Sequence, residues 1–326
     1  MVRVAVLDDW QQVAAGCADW NALAGRAEPV FYTKHFDSED ALVGALDNFE
    51  IICPMRERTW FPRSLLQRLP RLRLLALTGM GVRHVDIKTC LEQKILCCGS
   101  GAYSAAQTAE FALALMLAGA RDLVAGDAAI RAGRFQEGTG LGYALEGRTL
   151  GLIGVGKIGA RVAGYGRALG MRVLAWSPNL DRARAAAAGV ELAGKEQLLR
   201  ESDVVSLHLV LSDSTRAILG AAELALMKHQ ALLVNTARGG LVDEAALLAA
   251  LNAGRLSAAL DVFEQEPLPP DHPLRRAPRT VLTPHLGFST HATFQSFYSQ
   301  SVENMLAFLN GKPQRVLNPE VLALLG

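Results

Sequence analysis

The sequence predicts an α/β protein with two doubly wound parallel sheets. Short apolar runs alternate with helical patterns along most of the chain, and strands separated by helices usually pair in parallel. One strand–helix–strand unit, within Thr149–Pro178, has a glycine-rich turn between its first strand and its helix. The chain has 326 residues. That length exceeds what one hydrophobic core ordinarily organises, so two domains are expected.

The first hundred residues predict one complete sheet. Ser104–Ala120 then predicts a long helix, apolar on most faces and therefore buried between layers or domains. A second helix is expected at Leu123–Ala132. The predicted strands are Val2–Leu7, Pro29–Tyr32, Glu50–Cys53, Leu72–Leu77 and Ile95–Cys97, with helices at Trp20–Gly25, Ser38–Leu46, Pro62–Arg68 and Val85–Glu92.

The alternation resumes after Trp176 and ends in a long amphipathic helix, His291–Asn310, before Gly311 and Pro313. Because the glycine-rich unit lies inside the chain, the first domain must combine both chain ends. The predicted domains are residues 1–101 with 287–326, and residues 102–286. Further strands are expected at Val190–Leu192, Val204–Leu207, Ala231–Asn235, Ala258–Val262 and Thr280–Leu282, with helices at Lys195–Arg200 and Asp243–Leu251.

Composition excludes several classes of function. The net charge of +1 gives no electrostatic reason to bind nucleic acid or an anionic membrane. No apolar run is long enough to span a bilayer, and the N-terminus predicts a strand, not a signal peptide. The five cysteines are odd in number and lack CxxC spacing. We therefore expect reduced thiols in a cytoplasmic protein, with the cysteines as small core residues and no metal site.

The glycine-rich turn, GVGKIG, predicts a dinucleotide-binding loop. Gly154 permits a tight turn, Gly156 lets a pyrophosphate approach the backbone, and Gly159 lets the helix pack against the strand. Backbone N–H groups at Lys157 and Ile158, where the helix begins, would face the phosphates. The alternative, a glycine-rich turn that binds nothing, is disfavoured by the strand-like runs on both sides.

Polar residues follow strand-like runs in the second half, where open α/β sheets bind ligands. The guanidinium of Arg238 suits a bidentate hold on a carboxylate, and two glycines after it indicate tight backbone packing. The alternative is a surface arginine that caps a helix or pairs with Asp243. His285, with an acid from Asp261–Glu266, would form a proton relay, since a carboxylate orients an imidazole and favours its protonated form.

The segments GVGKIG, NTARGGLVDE, ALDVFEQEP and LTPHLGFST, in this order, resemble the D-isomer-specific 2-hydroxyacid dehydrogenase family. The resemblance covers essentially the whole chain. It implies a Rossmann dinucleotide-binding domain inserted into a flavodoxin-like substrate domain. It also implies an oxidoreductase that transfers a hydride between NAD(P)H and a small 2-oxo acid or D-2-hydroxy acid, like glyoxylate and hydroxypyruvate reductases. A homodimer is expected by the same analogy, with the apolar helix 104–120 at its interface.

The resemblance assigns roles to three residues. Arg238 would bind the substrate's carboxylate and 2-oxo group, and His285 would protonate the 2-oxo oxygen as hydride reaches C2. Glu266, the acid before a proline, would be the partner of His285, with Glu264 as its rival. Phe288 stands where many family members have Gly or Ala, and a ring there would narrow the pocket or offer apolar contact.

Further cofactor contacts follow from the same resemblance. Asp261 matches a position that contacts the nicotinamide carboxamide, although a strand-end carboxylate can instead bind nearby backbone. Ala237 and Thr108 are also expected to contact the cofactor. Tyr103 and Ser104, before the long helix, are expected near the substrate.

Substrate contacts are expected in the first domain. The loop containing Met80 and Gly81 follows a strand and is expected to open a helix, so its amides would form an anion pocket, and the resemblance implies that the substrate carboxylate binds there. Arg58 or Arg56 would bind a second anionic group such as a phosphate. Because Glu57 lies between them and could neutralise this role, a solvated charged loop is the favoured interpretation.

The choice between NAD and NADP depends on Ser177. An acid at this place, about twenty residues after the glycine turn, would bind the ribose 2′-hydroxyl of NAD. Serine does not repel a 2′-phosphate, and Asn179, Arg182 and Arg184 follow to hold one. Asp181 opposes that role, and the alternative for Arg182 and Arg184 is that they are solvated helix residues. The sequence favours NADP narrowly, and NAD stays open.

Two other functions are compatible with these motifs. One is a dehydrogenase of another small anion, such as formate or phosphite. The other is a non-catalytic, nicotinamide-sensing protein like the corepressors related to this family.

Overall fold

The chain forms two units in a computed structural model that describes residues 1–101 and 105–325. The terminal unit consists of Met1–Tyr103 with Thr290–Gly326, and the central unit of Ser104–Ser289. The chain returns from the central to the terminal unit at Thr290, and the domain boundary predicted at residue 287 stays a prediction.

The strands are β1 (Val2–Val6), β2 (Ala27–Phe31), β3 (Ile51–Cys53), β4 (Leu74–Leu77), β5 (Leu96–Gly99), β6 (Thr149–Ile153), β7 (Arg172–Trp176), β8 (Glu191–Leu192), β9 (Val204–Leu207), β10 (Leu232–Asn235), β11 (Ser257–Leu260) and β12 (Thr280–Leu282). The helices are α1 (Glu39–Leu46), α2 (Arg63–Leu66), α3 (Ile87–Glu92), α4 (Ala105–Arg121), α5 (Leu123–Arg131), α6 (Lys157–Ala168), α7 (Arg182–Ala188), α8 (Lys195–Glu201), α9 (Ala221–Leu226), α10 (Glu244–Asn252), α11 (His291–Leu309) and α12 (Leu322–Leu325).

The terminal unit has a parallel sheet with the order β2-β1-β3-β4-β5. This is the flavodoxin-like order. The residues of β3, β4 and β5 are all buried, as expected of parallel strands covered on both faces. Helix α11 brings the C-terminal segment back to this sheet, where the Asn304 amide donates to the carbonyl oxygen of Gly99 at 2.8 Å.

The central unit has a parallel sheet with the order β12-β11-β10-β9-β6-β7-β8. This is the Rossmann order with β12 added at one edge. Helix α4 packs on α6, β10 and β11, and Ala109, Ala112 and Met116 are buried there. The predicted fold class, with its Rossmann and flavodoxin-like sheets, is confirmed.

Some local predictions were wrong. Trp20–Leu23 is a 3-10 helix, not an α-helix, and α9 was not predicted. Strand β11 ends at Leu260, so Asp261 begins the following loop. Among the described residues, no helix is both long and apolar enough to span a membrane.

Candidate active site

The predicted reactive residues follow the carboxyl-terminal ends of neighbouring strands in the central sheet. Strand β11 pairs in parallel with β10 on one side and β12 on the other. Arg238 follows β10, Glu266 follows β11 and His285 follows β12. Because parallel strands end at the same edge, the three loops emerge beside one another, where ligands bind in open α/β sheets.

Glu266 is the hydrogen-bond partner of His285. Its Oε2 lies 2.6 Å from His285 Nδ1, and its Oε1 accepts from the backbone N–H of Phe263 at 2.9 Å. Both carboxylate oxygens are therefore engaged, which fixes the acid as it orients the ring. With Nδ1 facing Glu266, Nε2 is the nitrogen that can exchange a proton with a ligand. The rival acid, Glu264, instead pairs with Arg216 at 2.6 Å.

The backbone of His285 is in the left-handed region, with φ of 55°. A non-glycine residue there costs about 1 kcal/mol or more, so surrounding contacts must hold it. Its N–H donates to the carbonyl oxygens of Asp261 at 2.8 Å and Thr283 at 3.1 Å. The loop that carries the imidazole is thus anchored to the end of β11.

The Asp261 carboxylate is the main anchor of this loop. It is fully buried and accepts from the Thr283 hydroxyl at 2.7 Å and from the backbone N–H groups of Leu286 and Gly287 at 2.7 and 2.8 Å. Burial raises the pKa of Asp261, and these hydrogen bonds oppose the rise. In the structure Asp261 thus binds nearby backbone, one of the two roles left open by the sequence, while contact with a cofactor stays a prediction.

The Arg238 loop is folded by Asn235, whose side chain accepts from the N–H of Ala237 at 3.0 Å and donates to the carbonyl oxygen of Arg238 at 2.9 Å. The Arg238 guanidinium donates to the Ala237 carbonyl oxygen at 2.7 Å. The next residue, Gly239, lies against the backbone of Phe263, and a β-carbon there would be 2.0 Å from the carbonyl carbon of Phe263. The two loops can approach this closely only with glycine at 239.

The glycine turn after β6 has the geometry of a phosphate-binding loop. Gly154 has φ of 103°, and a β-carbon there would lie 2.7 Å from the backbone of His208. A β-carbon on Gly159 would lie 2.2 Å from the Gly154 carbonyl oxygen, so the helix packs directly on the turn. Gly156 differs, because a β-carbon there would meet nothing within 4 Å. Gly156 is also the N-cap of α6, so open space adjoins the helix N-terminus, as a dinucleotide pyrophosphate requires.

His208 was missed by the sequence analysis. It follows β9, at the point where strand order reverses beside β6, and its Nε2 lies 2.9 Å from the Ser206 hydroxyl. Burial lowers the pKa of His208 to about 4, so the ring is neutral at physiological pH. A polar residue directly after a predicted strand was the signal that could have identified it.

The residues after β7 form the predicted ribose-binding region. Ser177 is partly buried, and Asp181 accepts from the N–H of Arg184 at 2.8 Å as the N-cap of α7. The Arg184 guanidinium donates to the carbonyl oxygen of Asn179 at 2.7 Å. Arg182 is exposed in the first turn of α7. The Asp181 carboxylate therefore serves as a helix cap.

Thr108 lies on α4 next to the His285 loop. It is buried, and a β-carbon on Gly287 would lie 3.5 Å from its methyl group. Tyr103 and Ser104 lie outside the described residues.

The loop containing Met80 and Gly81 differs from its prediction. Both residues are exposed after β4, but no helix begins there, because α3 starts at Ile87 with Asp86 as its N-cap. The expectation that this loop opens a helix is wrong, so a helix N-terminus does not contribute to an anion pocket at these two residues.

Arg58 is held in place within the terminal unit. Its guanidinium lies 4.1 Å from the centroid of the Trp10 ring and donates to the carbonyl oxygen of Asp8 at 2.7 Å. The residue is partly buried. These contacts do not fit the solvated charged loop that the sequence favoured for Arg58.

Residues 113–287 match the family model described as D-isomer specific 2-hydroxyacid dehydrogenase, NAD binding domain. The chain is also 42% identical over 268 residues to a glyoxylate reductase of Aeropyrum pernix, covering 79% of this chain and 80% of that protein. The chain belongs to the D-isomer-specific 2-hydroxyacid dehydrogenase family. The predicted family and its 2-hydroxyacid dehydrogenase function are thereby confirmed, and the protein is an oxidoreductase with an NAD-binding domain.

Other members of the family are similar over most of the chain. A D-3-phosphoglycerate dehydrogenase of Archaeoglobus fulgidus is 35% identical over 279 residues, covering 85% of this chain and 53% of that one. A solved structure from Ralstonia solanacearum, of a protein proposed to be a D-3-phosphoglycerate dehydrogenase, has a TM-score of 0.93 and 36% identity over the whole of both chains.

Proposed function

We propose that this dehydrogenase reduces a small 2-oxo acid, or oxidises the corresponding D-2-hydroxy acid, with His285 as the acid–base and Arg238 as the substrate-binding cation. The observation that carries the proposal is the 2.6 Å contact between His285 Nδ1 and Glu266 Oε2, on loops beside that of Arg238. In this arrangement the imidazole can deliver a proton to the carbonyl oxygen of a substrate whose carboxylate is bound by Arg238.

The cofactor would be held by the turn after β6 and by the ends of neighbouring strands. When bound, a reduced nicotinamide supplies the hydride that reaches C2 of the substrate. The open space beside Gly156 and the exposed start of α6 fit a pyrophosphate. The proposed contacts are Gly154, Gly156, Lys157, Ile158, Gly159, Thr108, Ala237 and Asp261.

His285 would donate the proton from Nε2 to the 2-oxo oxygen, so that the carbonyl gains a hydride at carbon and a proton at oxygen to give the alcohol. Glu266 compensates the positive charge of the imidazolium before transfer and keeps Nδ1 as the bonded nitrogen. In the oxidative direction, neutral His285 removes the hydroxyl proton. Arg238 would hold the carboxylate and polarise the 2-oxo group with its fixed positive charge.

The proposed substrates are glyoxylate and hydroxypyruvate, since relatives that are 39–42% identical to this chain are glyoxylate reductases. Met80 and Gly81 are proposed to contact the substrate carboxylate through their backbone. Arg58, held against Trp10, is proposed as a preorganised cation for the second anionic group of a larger substrate, such as the phosphate of 3-phosphohydroxypyruvate.

NADPH is proposed as the preferred reductant. Ser177 carries no negative charge, and the Asp181 carboxylate is engaged by the start of α7. Arg182 is exposed beside them, together with Asn179, and could therefore hold a 2′-phosphate.

A cytoplasmic homodimer is also proposed. Helix α4 packs on α6, β10 and β11, but its Phe111, Leu113 and Leu117 are only partly buried, so α4 stays part of the proposed interface. Exposed apolar residues follow it in the chain: Leu123, Val124, Ile130, Phe135 and Leu141. The five cysteines are unpaired and buried, in keeping with a reducing compartment. Light scattering of the native chain and of Leu123→Glu tests the dimer.

The activity is tested by offering glyoxylate, hydroxypyruvate, pyruvate, phenylpyruvate and 3-phosphohydroxypyruvate with NADH and with NADPH. We expect turnover with the first two, a D-configured product from hydroxypyruvate, and a large loss of turnover in His285→Ala with cofactor binding retained. Undiminished turnover in that variant would exclude the acid–base role.

A further inference from the structure

Phe288 contacts the imidazole of His285. The two ring centroids are 5.6 Å apart and the ring planes meet at 82°, the geometry of a T-shaped aromatic pair. The Phe288 side chain is almost completely buried, with 5% exposure. A substrate can therefore contact little of the Phe288 ring. The ring instead packs against the imidazole of His285.

The hydrogen bond to Glu266 restrains the imidazole at one atom. Nδ1 is held 2.6 Å from Oε2, but a single hydrogen bond still allows the ring to rotate about the line that joins the two atoms. Such rotation moves Nε2 relative to a substrate oxygen, and proton transfer needs these heavy atoms within about 3 Å of each other. A contact with the body of the ring, which Phe288 makes, opposes that rotation.

The position of Phe288 is itself fixed by the loop. Asp261 binds the N–H groups of the two preceding residues, Leu286 and Gly287. A β-carbon on Gly287 would lie 3.1 Å from Asp261 Oδ2, so the backbone presses against that carboxylate. On the other side, the N–H of Ser289 donates to the carbonyl oxygen of Leu286 at 2.8 Å. The backbone is thus held on both sides of the aromatic ring.

We propose that Phe288 is a positioning residue that, together with Glu266, fixes the plane of the His285 imidazole for proton transfer. The inference rests on the proposed function, because it assigns Phe288 an effect on the step that His285 performs. A phenyl ring suits this task since it is flat and has only two side-chain torsions, whereas a leucine presents rotating methyl groups to the imidazole.

The kinetic test compares Phe288→Leu, which keeps an apolar side chain, with Phe288→Tyr, which keeps the ring. In the leucine variant we expect kcat to fall about tenfold with unchanged KM values and only a small decrease in Tm, since a buried ring is replaced by a smaller apolar side chain. In the tyrosine variant we expect kcat to fall less than about twofold. In a His285→Ala background, Phe288→Leu should cause no further loss, because the ring on which it acts is gone. An unchanged kcat, or a raised KM at constant kcat, would overturn the proposal.

A spectroscopic test does not depend on turnover. In protein with isotopically labelled histidine, the His285 ring signals, identified by their loss in His285→Ala, should shift and broaden in Phe288→Leu and stay sharp in Phe288→Tyr. Unaltered signals in the leucine variant would overturn the proposal for Phe288. This readout holds even if the wild-type enzyme reduces no 2-oxo acid, so failure of the Phe288 proposal is distinguishable from failure of the proposed function. Phe288→Met, flexible enough to fill irregular space, replaces the leucine variant if that one unfolds.

Discussion

The α-carbon of Gly239 faces the backbone of Phe263 so closely that a β-carbon would lie 2.0 Å from the Phe263 carbonyl carbon and 2.3 Å from the Glu264 nitrogen. This contact joins the loop that carries Arg238 to the loop that carries Glu266. The positions of the Arg238 and Glu266 side chains relative to each other therefore depend on a residue without a β-carbon at 239.

Gly239→Ala should separate these loops. Backbone atoms cannot move aside as a flexible side chain can, so we expect a loss of about 3 kcal/mol in the free energy of unfolding and a sharp fall in turnover. Urea unfolding and steady-state kinetics measure both. The matched control is Gly126→Ala in α5, where a β-carbon meets nothing within 4 Å and a stabilisation of about 0.5–1 kcal/mol is expected. Equal behaviour of the two variants would contradict the packing argument.

Glu266 and Glu264 offer a matched pair for the proton relay. Glu266→Gln should lower kcat about 100-fold, since the amide removes the charge that stabilises the imidazolium of His285. Glu264→Gln removes only an exposed pair with Arg216 and should change kcat less than about threefold. The kcat values of both variants are measured by steady-state kinetics. A larger loss of kcat in Glu264→Gln than in Glu266→Gln would show that Glu266 is not the partner of His285.

Gly156→Ala should weaken cofactor binding without affecting the fold. Its backbone, with φ of −92° and ψ of −158°, is accessible to alanine, but the added methyl group occupies the space proposed for the pyrophosphate. We expect the Kd for the nicotinamide cofactor to rise about tenfold or more, which is about 1.4 kcal/mol, with Tm unchanged. Gly164→Ala on the same helix, where the nearest heavy atom is 4.0 Å away, should leave Kd unaltered.

Ser177→Asp should reverse the proposed cofactor preference. A carboxylate there repels a 2′-phosphate and can bind a ribose 2′-hydroxyl, so the KM for NADPH should rise about tenfold while that for NADH stays constant or falls. Arg182→Ala should also raise the KM for NADPH and spare that for NADH. An unchanged ratio of kcat/KM values in both variants would remove the basis for an NADP preference.

His84 should make stability depend on pH. It is 3% exposed, neither ring nitrogen has a hydrogen-bond partner within the described residues, and burial lowers the pKa of its imidazole to about 4. Below about pH 6.5, His84 binds a proton in the unfolded chain but stays neutral in the folded chain. The free energy of unfolding therefore falls as the pH drops towards 4, by about 3 kcal/mol at most.

The contribution of His84 is measured by urea unfolding of the wild type and His84→Leu at pH 8 and pH 5. The leucine variant should lose less stability between these values than the wild type. His229→Ala, at an exposed position, is the control and should follow the wild type. Parallel pH dependence in wild type and His84→Leu would contradict the prediction.

Local patterns in the sequence determined the two sheets and the loops on which the proposed site lies. Apolar runs mark buried strands, and a glycine turn between a strand and a helix marks the dinucleotide loop, because each depends on residues close together in the chain. Arg238 and His285 were identifiable because each follows a strand-like run within a distinctive motif, whereas Glu266 was assigned by the resemblance of its Glu-Pro pair to the family. Helix α9 was missed because its short, alanine-rich segment has no strong period.

Only the tertiary structure decided which side chains meet. Glu264 and Glu266 are two residues apart and chemically alike, and the path of their loop alone directs one to Arg216 and the other to His285. The three hydrogen bonds that Asp261 accepts likewise join it to residues more than twenty positions away. Distances of this kind are set by packing between remote segments, which no periodicity along the chain records.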